Sequence, residues 1–113
     1  MVVDSHKRGI MDSAQLCEGV SVWADRVAVG ETQSLHSHEH PYIAVIITGE
    51  SGQSLGSGGE VMRNFQFTPG EVLRFGQDAV PVTHALRNTG SEEIHMVIIE
   101  LITPESVNVP VVG

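Results

Sequence analysis

Nowhere does this chain sustain a helical period, and that restricts its fold more than any other feature. Its apolar residues come in short runs punctuated by turn chemistry. No window of 11 or more residues repeats apolar side chains at the 3.6-residue spacing of an amphipathic helix. Residues 20–29, "VSVWADRVAV", alternate apolar and polar, which groups Val20, Val22, Ala24 and Arg26 on one face. Residues 42–48, "YIAVIIT", are β-branched and apolar on both faces, as in a strand covered from both sides. "VMRNFQF", "EVLRF", "AVPVTHALRN" and "EEIHMVIIEL" supply four more strand candidates. Between them lies turn chemistry. "TPGE" sets Pro69 and Gly70 at the centre of a type II turn, and the Gly/Ser-rich residues 49–60 read as a hairpin loop. Many short strands separated by turns predict an all-β sandwich or barrel.

At 113 residues the chain has the size of one domain, long enough to bury a core without disulfides. The expected division is an arm over residues 1–19, a barrel over 20–103 and a tail over 104–113. Residues 4–16 read as a short helix or an extended arm. The tail is apolar and proline-punctuated, so it is expected to pack on something. A net charge of −8 with no basic patch argues against a nucleic-acid partner, which requires clustered Lys and Arg. Apolar runs of only a few residues predict no membrane span, and the first residues lack the apolar core of a secretion signal. The single cysteine, Cys17, rules out an internal disulfide and suits a reducing, cytoplasmic setting. With no His or basic neighbour in sequence, Cys17 reads as an incidental thiol.

Candidate chemistry is concentrated in "LHSHEHPY", residues 35–42, where three of six histidines fall within five positions. In an extended chain His36 and His38 project to the same side, with Cβ atoms roughly 6.5–7 Å apart. Such a pair can converge on one ion at bond lengths of about 2.0–2.1 Å. A third ligand must come from elsewhere. His84, mid-strand among apolar neighbours, is the candidate, because an unpartnered imidazole there would cost several kcal/mol in desolvation. Satisfied core histidines or solvated loop histidines are the alternative. His40 precedes Pro41, which turns the chain and swings His40 toward the barrel mouth as a supporting residue. His95 shares a face with Val97, Ile99 and Leu101, and its burial is left open. His6 reads as solvated. Among the strand arginines 26, 63, 74 and 87, Arg26 is the one nominal alternation turns inward, where it would clamp a substrate carboxylate.

The arrangement resembles the cupin superfamily, small jelly-roll β-barrels. The first cupin motif is matched in spacing by Gly30, His36-Ser37-His38, Tyr42 and Gly49, but Tyr42 stands where the family carries a glutamate ligand. The second motif is matched by Gly70-Glu71 and by His84 with Asn88. Its middle is about three residues longer, and Pro81 lies closer to His84 than usual. The resemblance covers residues 20–101. It implies a divalent transition metal held by His36, His38 and His84, with iron first and zinc or nickel behind it. His40, Tyr42 and Arg26 are then residues that support the metal or touch substrate. Losing the carboxylate leaves the site one unit more positive and favours a small anionic or bidentate substrate.

Three functions follow as expectations. The first is an iron-dependent dioxygenase of the three-His kind. The second is a non-catalytic cupin that holds a metal or small molecule as a sensor or auxiliary protein. The third is a metal-free, isomerase-like cupin using a histidine base and Tyr42 as acid. The resemblance also implies a homodimer, to which the apolar tail would contribute an added strand.

Overall fold

The computed structural model describes residues 14–17 and 19–102, and they are almost entirely β-structure. Nine strands follow in order: β1 (Ala14–Cys17), β2 (Val20–Val27), β3 (His36–His38), β4 (Tyr42–Thr48), β5 (Ser51–Leu55), β6 (Val61–Gln66), β7 (Val72–Phe75), β8 (Val82–Asn88) and β9 (Ile94–Leu101). A single 3-10 turn, Gln77–Ala79, lies between β7 and β8. The strands form two antiparallel sheets, ordered β1-β2-β9-β4-β7 and β3-β8-β5-β6. Among the described residues no helix is long and apolar enough to cross a membrane. The tail over 104–113, His6 and most of the expected arm lie outside the described residues. The sheet nevertheless begins before residue 20, because β1 falls within the stretch expected to be an arm and pairs with β2.

Period-two alternation decides which face of each strand is buried. On β4 and β9, Tyr42, Ala44, Ile46, Ile94, Met96 and Ile98 point inward and join Trp23, Val27 and Phe67 in the core. Register then fixes β2, where Trp23 pairs with Ile98, Asp25 with Met96 and Arg26 with His95. Its inward set is therefore Trp23, Asp25 and Val27. Arg26 and His95 both face out. The sequence alternation misassigns this strand because Val22 and Ala24 are apolar on the outer face as well, so polarity does not tell its two sides apart.

Residues 49–60 also differ from expectation. The glycine- and serine-rich stretch is no simple loop: β5 runs through it and pairs on both sides, with β6 and β8. Only residues 49–50 and 56–60 turn. Gly52 lets the strand pass beneath the core, since a Cβ there would stand 3.0 Å from the Arg87 carbonyl oxygen and 3.1 Å from the Phe67 ring. Hydrogen bonds outside the core, such as Ser51 to Thr89 at 2.9 Å and Gln53 to Asn64 at 3.1 Å, tie β5 to its neighbours. The turn at Pro69-Gly70 forms as predicted, with Gly70 at φ +89 and Glu71 N–H donating to the Thr68 carbonyl. Asn88, from the second motif, has a structural job. Its amide donates to the Val27 and Glu92 carbonyls and accepts from Gly90 N–H, pinning the β8–β9 turn to β2.

Candidate metal centre

Strand β3 is only three residues long, yet it presents His36 and His38 on one face with Ser37 exposed between them. It pairs with β8 so that His36 stands directly opposite His84. Side chains opposite one another across an antiparallel pair share a face, so register alone delivers the third imidazole. The three rings pack edge to face with centroids 4.8–5.2 Å apart. One nitrogen from each lies within 4.8 Å of the others. Nitrogens bonded to a common ion at about 2.1 Å in a tetrahedral arrangement lie about 3.4 Å apart, so a closure of up to about 1.4 Å separates this set from coordination. The structure thus brings together the three residues that the sequence paired.

Each imidazole has an outer neighbour at Nδ1. His36 Nδ1 donates to the Ser34 carbonyl at 3.1 Å, and His84 Nδ1 shares a 3.1 Å hydrogen bond with Ser54 Oγ. His38 Nδ1 faces Glu100 Oε2 at 3.9 Å, too long for a hydrogen bond, and is buried without a partner. Nδ1 being turned outward on all three, Nε2 is the nitrogen each would present to an ion. Burial, reinforced by the neighbouring His36 and His38, holds His84 far below the usual imidazole range, at about 3. It is therefore neutral at physiological pH, which is the form that ligates.

Tyr42 lies flat against His38, with centroids 4.0 Å apart at 20°, and on Phe75 at 4.6 Å and 15°. Trp23 lies nearly parallel to His38 on the same inner wall, at 6.1 Å and 7°. Burial, and then the Glu100 carboxylate, push the Tyr42 phenol well above its ordinary pKa. It remains a neutral donor and a poor metal ligand. Glu100 pairs across the sheet with Tyr42, so a carboxylate missing at position 42 is present one strand away. It faces the outer nitrogen of His38 and stands outside the cluster.

The three histidines, Ser54, Tyr42 and Phe75 line an open cavity of about 450 Å³, counting space shared with solvent at its mouth, to which Asp25, Phe65, Leu73 and Met96 also contribute. Arg26 does not line it. Its guanidinium bonds Glu93 at 3.2 Å on the outer surface, with nearly half of each side chain exposed. His40 lines neither this cavity nor its mouth; β3 has ended and the chain bends before Pro41. The outward His95 has its pKa lowered by desolvation and then by Arg26, and takes no part in the site. Sequence reasoning missed Ser54, Asp25 and Glu100. For Glu100 a signal existed: it shares the alternation of Ile94, Met96 and Ile98. Ser54 had none, hidden in a stretch with loop composition.

No protein-family model matches the chain, and no curated protein matches it in sequence. Solved structures do match in shape. A cupin domain from Bordetella pertussis Tohama I superposes with a TM-score of 0.64 at 24% identity, covering 77% of this chain and 85% of that one. The chain folds as a cupin. Two enzymes share this cupin architecture over part of their length. Oxalate oxidase in complex with the substrate analogue glycolate gives a TM-score of 0.55 at 26% identity, over 74% of this chain and 42% of that one. DMSP lyase from Ruegeria pomeroyi gives 0.57 at 17%, over 79% and 41%. The chain spans less than half the length of either enzyme chain.

Proposed function

We propose that this cupin is metal-dependent: His36, His38 and His84 hold one divalent transition metal, iron foremost, beside a cavity for a small anionic substrate. The observation that carries this reading is the convergence of three imidazoles, two of which, His36 and His84, are held at Nδ1 by hydrogen bonds to Ser34 and Ser54. Supporting contacts of this kind fix the tautomer and aim of ligating histidines. When bound, the metal supplies Lewis-acid polarisation of a substrate oxygen and, if it is iron, a centre for dioxygen chemistry. The protein's own residues do the rest. Ser34 and Ser54 orient His36 and His84. Tyr42 packs on His38 and keeps its proton for hydrogen bonding. The apolar wall of Phe65, Leu73 and Phe75 excludes water from the substrate body.

The proton-transfer alternative fits less well, because a phenol with a raised pKa is a weaker acid than free tyrosine. That two structural neighbours are enzymes favours turnover over passive binding, by analogy of fold alone. Elemental analysis of untagged protein tests the site directly. Near-stoichiometric metal is expected in the parent and none in a His36→Ala, His38→Ala double variant. Protein loaded with ferrous iron should then consume oxygen with some member of a panel of diketones, thiols and hydroxy acids. A parent that is metal-free and refuses added iron, zinc and nickel overturns the proposal. A metal-loaded parent inert across the panel moves it to a binding role.

A further inference from the structure

We propose that Arg63 selects the substrate by receiving its carboxylate at the cavity mouth, so that the molecule taken is a small carboxylate whose short apolar body leads inward to the oxygen presented to the metal. The inference rests on the reading that the three histidines hold a metal at the inner end. It begins from register. Arg63 on β6 pairs with Ser54 on β5, as Phe65 pairs with Gly52. Opposed residues share a face, and Ser54 is the residue bonded to His84. Arg63 therefore stands on the side of the site, where Arg26 was expected and is not.

Two ring contacts hold its position. The guanidinium carbon lies 4.8 Å from the Phe65 ring centre and 5.8 Å from that of Phe75, within the range of cation–π attraction. A guanidinium seated on aromatic faces keeps its N–H edge for an in-plane acceptor, and a carboxylate fits that edge in a bidentate way. Among the described residues no carboxylate takes it. Among the described residues Arg26 has Glu93 at 3.2 Å and Arg87 has the Gln53 amide oxygen at 3.2 Å, whereas Arg63 and Arg74 have no acidic partner, and of these two only Arg63 lines the mouth. In a chain of net charge −8, an unclaimed arginine at a cavity mouth is a specific provision for an anion.

The mouth and the inner cavity adjoin. Tyr42, Ser54, Phe65, Phe75 and His84 border both the mouth and the inner cavity. From Arg63 the stack runs through Phe75 and Tyr42 to His38, offering a row of ring edges to an apolar body. Asp25, an acidic side chain, borders the inner end, and the Glu100 carboxyl group stands 3.9 Å behind His38. A carboxylate not engaged by the metal is thus repelled there and directed outward to Arg63.

The test compares 4-methylpentanoate with its neutral isostere 4-methylpentanamide by calorimetric titration of the full chain, with metal content measured on the same samples. The parent should bind the acid at least tenfold more tightly than the amide. Arg63→Gln should bind the two within twofold while keeping the parent's metal, and Arg63→Lys should fall between. A parent without preference, a parent that binds neither, or an Arg63→Gln protein that retains the tenfold preference overturns the inference. Elemental analysis scores the metal separately. A metal-free parent with an Arg63-dependent preference removes the metal and leaves the anion site standing. A metal-loaded parent without preference does the reverse.

Discussion

The two sheets of this barrel are built from different chemistry. The five-stranded sheet is apolar on both faces: Trp23, Ala44, Ile46, Ile94 and Ile98 point inward, while Val22, Ala24, Val45, Val97 and Ile99 point outward. The four-stranded sheet is made of strands such as "HSH" and "SGQSL", and its edge strand β6 is largely exposed. Most buried core residues belong to the first sheet; the second contributes Leu55 and Ala85, and Phe67 follows β6. All three clustered histidines, with Ser54 and Arg63, belong to the second. Burial of apolar area supplies most of the driving force for folding, so the first sheet can hold the barrel while the second carries polar groups. Stability and chemistry are thereby assigned to opposite walls of one cavity.

The largest effect that would break this division comes from the first wall. Ile94 is wholly buried, and its Cδ1 lies 3.3 Å from where a Cβ on Gly52 would stand, which joins the two sheets. Truncation in Ile94→Ala should cost about 2–5 kcal/mol, from lost transfer energy and the cavity left behind. Urea unfolding measures it. Metal stoichiometry of the folded fraction should be unchanged. A cost below about 1 kcal/mol, or metal lost from protein that remains folded, would show that the walls do not divide the work.

The second wall should make itself felt through pH. In the metal-free protein, the His84 imidazole resists protonation down to about 3, through burial first and then its two imidazole neighbours. The unfolded chain takes up that proton near 6.5. Between those values the unfolded state binds more protons, so stability falls as pH is lowered from about 6.5 toward 3. The slope from this one group is at most about 1.4 kcal/mol per pH unit. Chelator-treated parent and His84→Gln should therefore diverge in their urea midpoints between pH 7 and 5, with the parent falling faster. Parallel curves would mean that the cluster is solvated and the wall is not buried as described.

How much of this was legible beforehand follows from the same contrast. The first wall announced itself, since runs such as "YIAVIIT" have no other plausible use than a covered strand. The histidines of the second wall were legible by spacing, because His-x-His in an extended chain must share a face. What failed was orientation and composition. Arg26 was turned inward on alternation, but Val22 and Ala24 are apolar residues of an outer face, and only the pairing with β9 separates the sides. Strand β5 was read as loop because its inward positions are Gly52 and Ser54, so period-two polarity is invisible there. Arg63 was one of four equivalent arginines until register with Ser54 singled it out. A single sequence carries strand pattern; it does not carry which strand lies opposite which.

The finest test of the contrast asks whether the polar wall contributes position alone. Ser54 is buried and bonds His84 Nδ1 from a neighbouring strand, whereas Ser51, on the same strand, bonds Thr89 on the outside. Removing an outer partner of a metal-ligating histidine lowers affinity by about 10–100-fold. Ser54→Ala should therefore weaken zinc binding in a competitive chelator titration by about that factor. It should cost only about 1 kcal/mol of folding stability, the usual worth of one hydrogen bond. Ser51→Ala should cost a similar amount of stability and leave zinc affinity unchanged. Equal effects on affinity from both serines would mean that β5 serves the site through its backbone, and that the hydroxyl at 54 has no orienting role. A loss confined to Ser54 would show how little this wall needs apolar burial, since one buried hydroxyl aimed at one nitrogen sets the ligand.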